Sequence, residues 1–312
     1  MPPRKTKADL ATRANNLTAW FGQRNQRNII ESVAARHVDP VAFTTLMIYA
    51  AQRSPTLIES TPESLLRCLV MSSRLGLEPG NEVLGQFYIV PYKNTRLTNT
   101  ARRGGQIGQN DTIRDATPIV GYKGLITLEM RSKLVTAVKA RLVYPEDEYQ
   151  VYEGTRNELV HVPHPAADGK PRTAADVVAA YVVNFMAEGP PQFLVMDFEE
   201  LEKKRQRAAS SNKKDSPWNT DREAMYRKSP IRAIANFMPL QAEMEIAKAI
   251  VYEDQMERGT TLGELDLGID PTMEADAMAE AEEMGISTGA GEPTEPPEPS
   301  EPSTTQGEDD AF

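Results

Sequence analysis

Thr117-Pro118-Ile119-Val120-Gly121-Tyr122-Lys123-Gly124-Leu125-Ile126-Thr127-Leu128-Glu129-Met130-Arg131-Ser132-Lys133 is a strand that turns into a helix. Ile119 and Val120 read as a strand end, and Leu125, Ile126, Leu128 and Met130 as the apolar side of a short helix closed by Arg131 and Lys133. Gly121 and Gly124 bracket the turn, where glycine permits a sharp bend or the close approach of a ligand. An aromatic ring and an ammonium on such a corner suit base stacking and phosphate holding, and a plain structural turn fits the spacing equally well.

Working outward on the N-terminal side, residues 1–16 are polar and basic and read as a frayed arm. Pro40 to Gln52 has helical spacing in Phe43, Leu46, Met47 and Ala50. A second helix is marked by Thr61 as N-cap, Pro62 at the first helical position and Leu65, Leu66, Leu69 and Val70 on one face, with a stop at Gly76. Gln86 to Tyr92 alternates as a strand, and Lys93 to Asp115 reads as a long basic hairpin loop carrying Arg96, Arg102, Arg103 and Arg114.

Beyond the corner, strands are expected over 134–144, 149–153, 159–162, 177–186 and 192–196. Helix returns at Asp197, with Glu200 three residues on as in a capping box. Thr220 and Glu223 repeat the device before helices that run to about Arg258, although Pro230 is expected to break or restart them. From Gly259 onward there are 15 acidic and no basic side chains, so residues 1–258 keep 35 basic against 30 acidic ones, a net of +5. The overall charge of -10 thus hides a mildly basic body and an acidic, Pro/Glu-rich tail that buries nothing.

The expected class is α+β: N-terminal helices, a central mostly antiparallel sheet, C-terminal helices and a disordered acidic tail. The divisions are residues 1–34 as an N-terminal arm and helix that forms an oligomer contact, 35–258 as the core, and 259–312 as the tail. A single cysteine, Cys68, excludes an internal disulfide framework. With no signal peptide and no apolar run near ~18 residues, an intracellular soluble protein is expected.

Chemistry-bearing clusters are few. Lys203 to Lys214 holds six cations and no carboxylate, and Ser216-Pro217-Trp218 follows it. Part of that charge complements a helix C-terminus, and the remainder fits a strand backbone. His161 and His164 are flanked by Pro163 and Pro165, which deny them one helix face for a metal. Gly169-Lys170-Pro171 is no phosphate loop, so nucleotide hydrolysis is not expected. The enzyme alternative is a metal-dependent nuclease built on Glu129, Glu146, Asp147 and Lys133. A structural phage DNA-binding protein is a further alternative.

Four blocks in order resemble the RecT family of phage single-strand DNA annealing proteins. They are Asp39-Pro40 through Thr61-Pro62-Glu63-Ser64 to Leu75-Gly76-Leu77-Glu78-Pro79-Gly80; Phe87-Tyr88-Ile89-Val90-Pro91-Tyr92; Gly121-Tyr122-Lys123-Gly124 with Arg131-Ser132; and Gln192-Phe193 through Pro217-Trp218 to Ile231-Arg232. The resemblance implies ATP-independent annealing of complementary strands by a ring or filament in the cytoplasm of a bacterial host, alongside a 5′-to-3′ exonuclease. A host single-strand-binding protein is a second expected partner. No cofactor is required, and magnesium is an optional modulator.

Motif match and chemistry together give Lys123, Arg131, Lys133, Arg205, Arg207, Lys228 and Arg232 to phosphates, and Tyr122 and Trp218 to stacking or groove shaping. Arg96, Arg102, Arg103 and Arg114 are additional candidates. The tip Glu308-Asp309-Asp310-Ala311-Phe312 resembles the phenylalanine-ended tips of bacterial single-strand-binding proteins.

Overall fold

The computed structural model describes residues 7–80, 84–105, 107, 112–166, 169, 171–208, 211, 214, 216–237 and 267–286. The expected helices beyond residue 237, residue Lys213 and the chain end from 287 lie outside the described residues.

Helix α5 (Pro62–Leu75) is the pivot of the first half. Thr61 caps its start, accepting from the Ser64 amide at 3.4 Å, and Gly76 ends it in the left-handed region at φ +61°. A β-carbon there would also lie 2.2 Å from the His37 ring, so glycine is required twice over. Leu65, Leu66, Leu69 and Val70 are buried as expected, but so are Cys68, Met71, Ser72, Ser73 and Leu75. The helix shares one hydrophobic core with α1 (Lys7–Phe21), α2 (Arg24–Val33), α3 (Pro40–Arg53) and the short α4 (Pro55–Ile58), and α2 and α3 pack directly on it.

Residues 7–16 are therefore not a frayed arm. Their helix is held by Leu17, Trp20 and Phe21 in the core, and by Arg13, whose guanidinium donates to the carbonyls of Ile58 and Ser60. Burying each large apolar side chain stabilises by about 1.5–3 kcal/mol, which outweighs the polar composition of the first two turns.

Strands β1 (Phe87–Lys93) and β2 (Arg114–Val120) pair antiparallel, from Phe87 opposite Val120 to Lys93 opposite Arg114. The expected long loop between them is partly ordered as helix α6 (Thr95–Arg103), capped by Asn94, whose side chain accepts from the Leu97 amide at 2.9 Å. A polar helix is invisible to apolar periodicity, and only the cap marks it. Ser64 Oγ accepts from the Ala116 amide at 2.9 Å, which ties this hairpin to α5.

After α7 (Tyr122–Arg131), strands β3 (Val135–Val143), β6 (Ala179–Met186) and β7 (Gln192–Asp197) form an antiparallel sheet in the order β3-β6-β7. Strands β4 (Glu148–Tyr152) and β5 (Glu158–Val162) make a separate hairpin. The α+β class holds, with the strands divided among three antiparallel sheets. Helix α8 (Phe198–Arg207) begins with the expected capping box, Asp197 accepting from the Glu200 amide at 2.8 Å.

The Thr220–Glu223 box does not form. Ser216 caps the short α9 (Pro217–Thr220) instead, and Thr220 donates to Asp221. Helix α10 (Arg222–Ala235) runs straight through Pro230. The proline removes the donor that Tyr226 would receive, at a cost of about 3 kcal/mol. Burial of Ile231 and Ile234 on the sheet, and of Ala235 in the helical core, offsets it.

Residues 267–286, placed by composition in a disordered tail, carry helix α11 (Pro271–Glu283). Ala277 and Ala281 are buried against α1 and α2, Trp20 Nε1 donates to the Ala277 carbonyl at 2.8 Å, and Arg67 pairs with Glu274 at 2.8 Å. Small apolar residues at helical spacing, with acids on the outer side, suffice for a docked helix. Average charge conceals that pattern.

Candidate nucleic-acid interface

The corner between β2 and α7 folds as the sequence predicts, but its glycines serve the chain itself. A β-carbon on Gly121 would lie 2.2 Å from the Gly85 carbonyl oxygen, and one on Gly124 would lie 2.3 Å from that of Gln86. The close approach is therefore to residues 85–86, sealed by the Gly121 amide donating to Gln86 O at 2.8 Å and by Gln86 Nε2 donating to Thr127 at 3.1 Å. This fixes the direction in which α7 leaves the strand, and with it the placement of Tyr122 and Lys123.

Tyr122 is half-buried against Val182, Ile231 and Ile234. The Lys228 ammonium stands 5.3 Å from the centre of its ring. Lys123 is exposed and its stem runs past Gly85. The Lys228 ammonium of α10 thus lies over a ring presented by α7, and exposed Lys123 follows that ring in the chain. Arg232 lies one turn beyond Lys228 on the same side of α10.

Other predicted contacts have different surroundings. Arg131 donates to the carbonyls of Leu75 and Gly76 at 2.7 and 3.0 Å, closing the C-terminus of α5. Lys133 is exposed in the turn after α7, with φ +62°. Arg205 pairs with Glu202 at 2.8 Å, and Glu202 also accepts from Tyr226. Arg207 is exposed at the end of α8.

Trp218 packs half-buried on the cluster of Leu201 and Tyr226, so its ring is part of the core rather than an open platform. On α6, Arg96 and Arg103 are exposed and Arg102 is half-buried, while Arg114 pairs with Glu59 at 3.4 Å. Two aromatics escaped the sequence reading. Tyr88 and Tyr92 both point outward from β1, and Tyr92 is 54% exposed. Strand alternation alone would have found them.

The side chains of the nuclease alternative are not brought together in one place. Glu129 is buried, with Asn184 Nδ2 donating to it at 3.3 Å, and burial raises its carboxyl to about 7. Asp147 lies on the other side of the sheet. His161 joins it at 3.0 Å and the His164 and Tyr144 amides donate to it. Burial alone would raise Asp147; those hydrogen bonds and Arg172 prevail and hold it at about 2. Glu146 pairs with Arg172 at 3.3 Å. Glu129 thus lies in one buried network while Glu146 and Asp147 share another around Arg172, and no metal-binding group of three or more such side chains occurs among the described residues.

A profile of the RecT family matches residues 42–264. The chain belongs to the RecT family. Protein RecT of Escherichia coli (strain K12) is 26% identical over 241 residues, which is 77% of this chain and 82% of that protein. As a RecT-family member the chain is a DNA-binding recombination protein of the strand-annealing kind. The matched span takes in the corner, the sheet and α10, and it leaves out α1, α2 and α11. Among the described residues, no helix is long and apolar enough to cross a membrane.

Proposed function

We propose that this RecT-family chain anneals complementary single-stranded DNA in phage recombination, without nucleotide hydrolysis and as a ring or filament. One observation carries the reading: the Lys228 ammonium over the Tyr122 ring, with exposed Lys123 beside it at the start of α7. Cations hold phosphates without regard to sequence, the ring offers a base an apolar face, and the helix start adds partial positive charge. Base edges stay free for the incoming strand, so pairing itself selects the partner.

Lys123 and Lys228 are the primary phosphate contacts, with Lys133, Arg207 and Arg232 extending the track and Arg96, Arg102 and Arg103 of α6 adding to it. Arg131 and Arg205, held by carbonyls and a carboxylate, act first by positioning α7 and α8, and Trp218 shapes the wall from within. Residues 1–34 join the core and contribute to contacts between copies. A 5′-to-3′ exonuclease supplies the single strands, and a host single-strand-binding protein is a second partner. Magnesium modulates the assembly without a dedicated site.

The test is an ATP-free annealing assay with two complementary oligonucleotides, one labelled, with and without magnesium. The expected result is faster duplex formation at unchanged strand length, lost in Lys123→Ala/Lys228→Ala. Shortened strands, or full activity in the double variant, would overturn the reading.

A further inference from the structure

The three-stranded sheet has two dissimilar faces. Register places Val138, Ala140, Val182, Ala180, Leu194 and Met196 on the face covered by α7, α8 and α10. The opposite face carries Lys139, Arg141, Tyr181, Val183 and Phe185, with Phe193 and Val195 from β7. Among the described residues, only one end of this second face is covered. Tyr149 and Leu159 of the β4–β5 hairpin lie over Tyr181, Val183 and Val195, and His161 bonds the Tyr181 hydroxyl at 2.9 Å.

Among the described residues nothing covers the other end, and its composition is not that of a solvated face. Phe185 and Phe193 are half-buried, Lys139 is exposed opposite Val183, and Arg141 is exposed opposite Tyr181 at the border of the covered end. Phe193 stands opposite Val183, which makes Phe185 its diagonal neighbour at roughly 7 Å. The Lys139 ammonium lies 5.1 Å from the centre of the Phe185 ring. The hairpin's acids Glu148 and Glu158 alternate with Tyr149, Val151, Leu159 and His161 and so face away from the sheet.

We infer that this open sheet end is a second single-strand-binding surface, on the opposite side of the sheet from the Tyr122 corner. Its rings stack bases, and Lys139 and Arg141 take the phosphates. Two adjacent rings flanked by cations, with no acid on the same face until Asp197 at its far end, match a polynucleotide in charge and in shape. One subunit then holds two separate strand segments, which raises the local concentration of each for the other before pairing begins. The inference rests on the reading that the chain handles single strands.

The experiment uses the full chain and labelled oligothymidylate, followed by anisotropy across a salt series. Lys139→Glu/Arg141→Glu should lower the log–log salt slope by about 1.4, and Phe193→Ala should weaken binding by about fivefold or more. Oligothymidylate carrying 5-iodouracil should give photoadducts on Phe185 or Phe193 as well as on the Tyr122 peptide. An unchanged slope with adducts confined to the corner would overturn the second surface. So would a change in sedimentation without DNA and none in slope, because the face would then join copies of the chain. Lys123→Glu/Lys228→Glu separates the two readings: if only that variant loses affinity, the second surface fails alone. If neither variant does, the proposed function fails with it.

Discussion

The helical half around α5 and the sheet half around α10 use their cations in opposite ways. In the first, Arg13 serves the carbonyls of Ile58 and Ser60, Arg67 serves Glu63 and Glu274, Arg74 serves the Leu267 carbonyl, and Arg114 serves Glu59. In the second lie all the cation–ring pairs among the described residues: Lys228 on Tyr122, Lys139 on Phe185, Arg156 on Tyr152 and Arg172 on Tyr144. Counts of basic residues cannot separate these halves. Arg156 and Arg172 also pair with Glu158 and with Glu146 and Asp147, so what separates the halves is narrower: the Lys228 and Lys139 ammonium groups lie beside rings and in no ion pair among the described residues.

The harshest way to break the comparison is to damage the helical half and ask whether the sheet half notices. Trp20 is buried, stacks on Phe21 and donates to the Ala277 carbonyl, so it holds α1 and α11 together. Trp20→Ala should cost roughly 3–5 kcal/mol of stability. Urea unfolding measures the loss. Single-strand affinity, measured well below the shifted midpoint, should stay near that of the parent. A parallel collapse of affinity would show that the two halves act as one device.

Next in size is a pH effect seated beneath α7. Burial lifts Glu129 from 4.5 to about 7, against an opposing hydrogen bond from Asn184. The folded state thus holds this proton more tightly than the unfolded chain does. Its contribution is complete below pH 4.5 and is lost as pH rises toward and past 7, by on the order of 3 kcal/mol. Glu129→Gln should remove that slope between pH 5 and pH 8. An identical pH profile for parent and variant would place the titration elsewhere.

Arg131 sharpens the comparison because it sits in the sheet half but serves the helical one. Its two hydrogen bonds to α5 carbonyls predict that Arg131→Ala costs about 1.5–3 kcal/mol. The salt slope of DNA binding should stay as it was. A lower slope with unchanged stability would return Arg131 to the phosphate track.

Much of this was legible in the chain, and the misses share a cause. The α5 helix and its Gly76 stop, the strands and the Asp197 box follow from local rules of cap, period and turn. Helices α6 and α11 were not legible, because one has only Leu97 and Ala101 as apolar residues and the other presents little more than alanine and methionine to its neighbours. The corner motif named Tyr122 and Lys123 but left open whether its glycines serve a bend or a ligand, because their partners at residues 85 and 86 are distant in sequence. Pairing Tyr122 with Lys228, and setting Arg131 apart, needed tertiary structure.

Lys228 offers the smallest effect and the sharpest discrimination. Its ammonium has no carboxylate partner among the described residues; it lies over Tyr122 and near the Met225 sulfur at 3.9 Å. A half-exposed cation–ring pair contributes about 0.5–1 kcal/mol, so Lys228→Ala should barely move the unfolding midpoint. The same change should lower the log–log salt slope of single-strand binding by about 0.7, equally for every sequence tested. Lys228→Arg should restore the slope, because the charge is what the phosphate reads. A midpoint shift as large as that of Arg131→Ala, with the slope intact, would put Lys228 among the consumed cations and erase the distinction between the two halves at the place where it is most clearly drawn.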